Sequence, residues 1–254
     1  MRLVSWNVNG IRACLSKGLE DSAKDLSADF LCLQETKASP DQVELPSSLA
    51  KHSSAWASAQ KKGYSGVAIF TGDKKTELAN QMRIEKYDAE GRVTLAFAKG
   101  FTLVNLYLPN GAASEERHWF KMGFLDDFIP WLKKLEKECG PLVICGDYNI
   151  AHTEIDIHDP VSNKDSSGFK PEERAWMTKL LEAGFIDTFR HVHGPKKDQY
   201  SWWSYRMNSR ARNKGWRLDY FCVSNSLESK IRAAEIHPNI HGSDHCPISL
   251  ELSL

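Results

Sequence analysis

The residues able to do chemistry in this 254-residue chain collect where short apolar runs give way to polar ones. Asn7 and Asn9 close the run that starts at Leu3, and Gln34 and Glu35 follow Phe30–Leu33. Tyr107 and Asn110 close the run from Phe101, and Asp147 and Asn149 follow Leu142–Cys145. Asp219 lies inside Trp216–Tyr220, and Asp244 and His245 precede Pro247–Leu252. A single Asp or Asn at a strand end is usually a turn former bonded to its own backbone. Recurrence at the same end of many strands points instead to loops converging on one sheet edge. Carboxylates and amides without a Ser or Cys nucleophile setting make an oxygen-rich ligand set for a hard cation such as Mg²⁺. A carboxylate beside a histidine fixes the imidazole tautomer and supports its protonated form. Amide and phenol donors can hold phosphate oxygens, and together these parts describe metal-assisted phosphoryl transfer. A two-histidine zinc site is disfavoured, because His152 and His158 lack the i,i+4 spacing that would place both on one helical face.

The elements that must position these groups read as buried strands of about 4–8 residues. They run Leu3–Val8, Phe30–Leu33, Gly66–Phe70, Val93–Ala98, Phe101–Leu108, Leu142–Cys145, Arg217–Val223 and Pro247–Leu252. A helix opens at Pro171 with Glu172 and Glu173 in its first turn and stops at Gly184. A second spans about Glu115–Glu138, with Pro130 expected to kink or split it. Strands and helices without strict alternation predict an α/β chain of packed sheets covered by helices. No linker divides it, so one domain over 1–254 is expected. Leu3–Asn7 and Val143–Asp147 echo each other weakly, as a duplicated α/β unit would.

Lys plus Arg total 33 and so do Asp plus Glu, which argues against attraction of the whole surface to nucleic acid or acidic membrane. The distribution is uneven. From Arg190 to Leu218 eight basic residues face Asp198 alone, a local +7, while Asp126–Asp159 carries a local −5. Tyr200, Trp202, Trp203, Tyr205 and Trp216 interleave with the basic stretch. Cations for phosphates and flat partners for unstacked bases or sugars make this a nucleic-acid contact region, including Arg206, Arg210 and Lys214. No apolar run approaches the roughly 20 residues of a membrane span, and the first residues do not form a signal peptide. The six cysteines include no C-x-x-C pair, so a reduced, cytoplasmic protein with no membrane partner is expected.

The runs SWNVNGIRA (Ser5–Ala13), LQETK (Leu33–Lys37), LYLPNG (Leu106–Gly111), GDYNIAH (Gly146–His152), GWRLDYF (Gly215–Phe221) and GSDHCP (Gly242–Pro247) occur in order from end to end. In these the chain resembles the exonuclease III-type apurinic/apyrimidinic (AP) endonucleases, in a bacterial-length form close to the human-type branch. The resemblance implies a DNase I-like four-layer α/β sandwich of two mixed β-sheets flanked by helices. It implies Mg²⁺-dependent cleavage of double-stranded DNA on the 5′ side of an abasic site, with Mn²⁺ able to replace Mg²⁺. Accessory action on blocked or ordinary 3′ ends, a monomeric state and a bacterial cytoplasmic or nucleoid location go with it.

Carried over by position, the resemblance makes Glu35 the principal metal ligand, with Asn9 and Asp244 on the metal side; Asn9 stands where the human-type branch has Asp. Asp147 would orient or deprotonate the attacking water, and Asp219 would partner His245. Asn149 and Tyr107 would act on the phosphate, as would Asn7 and Asn110. Trp202, Trp216 and Leu218 would line a pocket for the flipped-out abasic sugar, a slot too small for a base. Arg206 and Met207 would enter the bent duplex, Met207 as an apolar wedge. Phosphatases and sphingomyelinases of the same superfamily share the Asn, Glu, Asp and His positions, but are not expected to carry this pocket with a basic surround. A DNA-binding module without catalysis is disfavoured, since each catalytic position holds the active residue type.

Overall fold

Val143 and Cys145 point to one side of their strand and Leu142 and Ile144 to the other, and all four are fully buried. A strand covered on both faces reads as a continuous apolar run, which is why this and its neighbours were legible. The computed structural model describes residues 1–254 and contains two six-stranded sheets. The first has the order β11 (Ile231–Ile236), β12 (Ile248–Leu252), β1 (Arg2–Asn7), β2 (Phe30–Gln34), β4 (Val67–Thr71), β3 (Ser53–Ala57). The second has the order β5 (Glu77–Ala79), β6 (Val93–Ala98), β7 (Phe101–Tyr107), β8 (Leu142–Asp147), β10 (Asp219–Ser224), β9 (Phe185–Asp187).

The cores give the layers. Leu3, Phe30 and Leu250 of the first sheet meet Leu103, Val143 and Phe221 of the second. Val4, Trp6, Leu31 and Leu33 pack outward on α1 (Ile11–Leu15) and α2 (Leu19–Leu26), beside α3 (Ser47–Ala50). Leu106, Ile144 and Tyr220 pack outward on α5 (Glu115–Cys139) and α6 (Pro171–Glu182), with α4 (Glu85–Asp88) alongside; α7 (Thr188–His193) lies against β10 and β11. The result is helix, sheet, sheet, helix: the DNase I-like α/β sandwich. Burying each large apolar side chain stabilises it by roughly 1.5–3 kcal/mol. No helix is long and apolar enough to cross a membrane, and all six cysteines are free.

The two sheets share one plan. β1 pairs parallel with β2 and antiparallel with β12, and β8 pairs parallel with β7 and antiparallel with β10. The two echoing segments therefore occupy equivalent central places. Parallel pairing brings the C-terminal ends of β1 and β2 to one edge, and those of β7 and β8 likewise. Antiparallel pairing brings the starts of β10 and β12 to the same edges. Asp219 accordingly lies opposite Asp147 in register, at the first residue of its strand and not within it as the sequence pattern predicts.

Pro130 does not split α5, contrary to expectation; the helix runs unbroken for 25 residues. Pro130 and Asp126, whose carbonyl loses its donor, are both exposed, so water can serve that carbonyl. Phe124, Leu125, Phe128 and Leu132 stay buried on the opposite side, and Trp176 Nε1 donates to the Leu125 carbonyl.

Candidate active site

Gly146 shows how tightly the strand ends are drawn together. A Cβ there would lie 1.8 Å from the Leu106 carbonyl oxygen on β7, so only glycine lets β7 and β8 deliver Tyr107 and Asp147 side by side. Asn9 (φ 45°), Glu35 (φ 49°) and Asn149 (φ 50°) hold left-handed backbone just past their strands. Such positions cost of order 1–3 kcal/mol each and aim a side chain where regular structure cannot.

Asp147, His245 and Glu35 converge, each offering a ligand atom within 4.8 Å of the other two. Asn7 stands between the carboxylates: its Nδ2 donates to Glu35 Oε1 at 2.9 Å and to Asp147 Oδ2 at 2.8 Å. Fully buried and with both amide hydrogens engaged, Asn7 bridges carboxylates and is not the free phosphate contact expected of it. His245 Nδ1 lies 2.8 Å from Asp219 Oδ2, and its Nε2 faces Asp147 Oδ2 at 3.7 Å. Ser201, unmarked by any motif, donates from Oγ to Asp219 Oδ2 at 2.6 Å and fixes that carboxylate.

Burial opposes charge throughout this cluster. It raises the Asp147 carboxyl to about 7, with Asp219 and Glu35 adding to the effect and His245 opposing it. Burial would lower His245, but Asp219 and Asp147 outweigh it and hold the imidazolium to about 10. Tyr107 is pushed well above its ordinary range, first by burial and then by Glu35, so its phenol keeps its proton. For Glu35 burial is outweighed by Lys37 and by the Asn7 hydrogen bond, leaving the carboxylate below its usual range.

Lys37 also identifies a place suited to a cation. Its Nζ is 2.9 Å from Glu35 Oε2 and bonds Asn9 Oδ1, so an ammonium already stands between two hard oxygens. Asp244 meets that position through Asn9: its carboxylate accepts from Asn9 Nδ2 at 2.9 Å and Trp202 Nε1 at 3.1 Å. It connects Asn9 to the aromatic wall and does not join the Glu35–Asp147–His245 group.

Asn149 and Asn110 form a second pair. Asn110 Nδ2 donates to Asn149 Oδ1 at 3.1 Å, while Asn149 Nδ2 donates to the Leu108 carbonyl at 2.9 Å. Beside them Trp202, Trp216 and Leu218 pack with Ala151, Ile157 and Phe169. Trp202 and Trp216 meet edge-on at 6.0 Å, and Trp202 lies 6.4 Å from the His245 ring. These apolar side chains therefore pack directly beside the polar cluster. Phe169, which the motifs pass over, packs edge-on against Trp216 at 6.5 Å.

The basic stretch is less free than its composition predicts. Arg217 is fully buried and pairs with Asp156 and Asp187, and Arg190 also pairs with Asp156. Arg210 donates to the carbonyls of Ser243, Pro238 and Ile240 and stacks on Trp203, so it braces the loop before Asp244 and is not a free DNA contact. Arg206, Met207, Arg212 and Lys214 are exposed, Met207 to 81%. A cavity of about 720 Å³ is lined by Trp203, Tyr205, His241 and Asp244 and by none of Glu35, Asp147 and His245.

A model of the endonuclease/exonuclease/phosphatase family matches residues 4–245. The chain is 42% identical to an exodeoxyribonuclease of Bacillus subtilis (strain 168) over the full length of both. It is 40% identical to the DNA repair nuclease APEX1 of Danio rerio, over all of this chain and 83% of that protein. Among solved structures, the 3′-5′ exonuclease NExo of Neisseria meningitidis superposes with a TM-score of 0.90 at 27% identity, covering all of both chains. The chain is also 39% identical to the DNA-(apurinic or apyrimidinic site) endonuclease of Dictyostelium discoideum, over all of this chain and 71% of that protein. A family match across nearly the whole chain, a shared fold and a convergent Asp–His–Glu cluster lead to one conclusion: the chain belongs to the endonuclease/exonuclease/phosphatase family and is a nuclease with exodeoxyribonuclease and AP-endonuclease relatives.

Proposed function

We propose that this nuclease is a Mg²⁺-dependent AP endonuclease of DNA repair. It hydrolyses the phosphodiester on the 5′ side of an abasic site, leaving a 3′-hydroxyl and a 5′-deoxyribose phosphate. The observation that carries this reading is the apolar cluster of Trp202, Trp216, Phe169 and Leu218 packed beside His245. An abasic nucleotide is the cheapest to extrude from a duplex and presents a bare sugar to such apolar walls. The relatives named as AP-site and exodeoxyribonucleases act on the same class of polymer, and accessory removal of 3′-phosphates and 3′-terminal nucleotides is part of the proposal.

Asp147, raised to about 7 by burial, is matched to take a proton from the attacking water near neutral pH. His245, held protonated by Asp219, puts positive charge beside the phosphoryl oxygens as negative charge grows on them. Tyr107 and Asn149 donate hydrogen bonds to those oxygens, and Asn110 orients Asn149. Glu35 and Asn9 would hold Mg²⁺ near the position marked by Lys37, and a cation bound there would supply neutralisation of phosphate and leaving-group charge. Arg206, Met207 and Lys214 contact the duplex. The enzyme acts as a monomer, one domain over 1–254, in the cytoplasm.

Asp147→Asn separates chemistry from recognition. The single-turnover rate is expected to fall by about 10²–10⁴ with abasic-duplex affinity retained in a gel-shift assay; loss of binding would make Asp147 a structural residue.

A further inference from the structure

Lys121 and Glu173 form an ion pair in which both side chains have no exposure at all, away from the reacting groups. A charge taken fully out of water persists only where hydrogen bonds and a partner replace that water, and here every partner leads to the site. Lys121 Nζ, on α5, donates to Glu173 Oε1 at 2.6 Å and to the Asn149 carbonyl at 2.8 Å. Glu173, in the first turn of α6, accepts on Oε2 from the amides of Gly168 at 2.6 Å and Lys170 at 3.0 Å. These two amides flank Phe169, and the Ala151 amide donates to the Gly168 carbonyl, closing the ring back onto the Asn149 segment.

The consequence is a rigid frame shared by two parts of the site. Asn149 keeps its left-handed backbone because its own amide bonds Asp147 Oδ1 while Lys121 holds its carbonyl. Gly168 is equally confined: a Cβ there would lie 2.9 Å from the Asn149 carbonyl oxygen and 3.2 Å from the Trp216 ring. Phe169 therefore cannot shift against Trp216 unless the Asn149 segment shifts with it.

We infer that the Lys121–Glu173 pair is a positioning device that sets the spacing of Phe169 against Trp216 in the proposed abasic-sugar site and couples it to Asn149, so that selectivity for abasic over intact DNA depends on two residues that touch neither substrate nor metal. This rests on the proposed AP-site reading. The test uses Lys121→Met/Glu173→Met, which removes both charges together and avoids leaving one buried and unpaired. In EDTA, affinities for a duplex with a tetrahydrofuran abasic analogue and for the same intact duplex are measured by fluorescence anisotropy. Amide hydrogen exchange across 149–151 and 167–170 is followed in the free protein, with the melting temperature as a check on folding.

The expected result is a folded variant whose preference for the abasic duplex falls by about tenfold, with faster exchange in both segments. Equal losses of affinity for both duplexes, or exchange unchanged in either segment, would overturn the inference. A wild-type protein with no preference for the abasic duplex would contradict the AP-site reading, and the exchange data would still decide whether the pair holds the two segments together.

Discussion

Asn7 Nδ2 lies 2.8 Å from Asp147 Oδ2, and these two residues end β1 and β8, the equivalent central strands of the two sheets. The Asp147 carboxylate is thus held from the opposite sheet. One layer deeper, Gln34 Nε2 donates to Asn105 Oδ1 at 2.7 Å and to Ser5 Oγ at 2.9 Å, a buried amide link between the same sheets. Ser5 and Asn105 sit two residues before Asn7 and Tyr107, on the same faces. The site therefore inherits its geometry from sheet packing.

The first prediction concerns pH. With Asp147 raised to about 7 and His245 to about 10, the rate needs Asp147 ionised and His245 protonated. It should rise with pH through about 7 and fall through about 10. Asn7→Ala removes a hydrogen bond to the ionised form of Asp147, so its rising limb should move to higher pH. A pH–rate profile that is flat from 6 to 8, or one unmoved by Asn7→Ala, would exclude Asp147 as the base.

Removing Glu35 tests the cation position. Glu35→Ala leaves Asn9 as the nearer oxygen ligand, and the Mg²⁺ concentration for half-maximal activity should rise by at least tenfold. An unchanged requirement would move the metal away from Glu35.

Acid stability should report the buried arginine pairs. Burial pushes the Asp156 carboxyl up, but Arg217 and then Arg190 outweigh it and hold it well below its ordinary range. A depressed folded value means that the stabilisation is present above the unfolded range, near 3.9, and is lost as pH falls below that range towards the folded value. Urea midpoints measured from pH 6 to 2 should fall in the wild type. Asp156→Asn should flatten that fall while lowering stability at pH 6 by about 3–5 kcal/mol, because it leaves Arg217 and Arg190 short of a counter-charge. An equally steep fall in the variant would place the acid sensitivity elsewhere.

What the sequence disclosed follows physical lines. Strands buried on both faces, such as β2 and β8, were legible as unbroken apolar runs. Edge strands β3, β5, β9 and β11 were not, because half-exposed or three-residue strands carry too little pattern. Motif position located Glu35, Asp147, Asp219 and His245, which the fold brings together. It could not foresee that Asn7 spends both amide hydrogens on carboxylates, that Arg210 is consumed by loop carbonyls, or that Asp244 faces Trp202. Those facts depend on partners 28 or more residues away. Lys37, Ser201 and Phe169 were hidden because their places depend on partners in other segments, Asn9, Asp219 and Trp216, although Lys37 lies inside the LQETK run.

The central claim is tested most directly on an end-labelled duplex carrying one synthetic abasic site, beside the intact duplex and one ending in a 3′-phosphate. The account predicts a single cut on the 5′ side of the abasic site, dependent on Mg²⁺ and abolished by EDTA, with the intact duplex nicked far more slowly. Cutting that survives EDTA, or equal nicking of intact and abasic DNA, would contradict it.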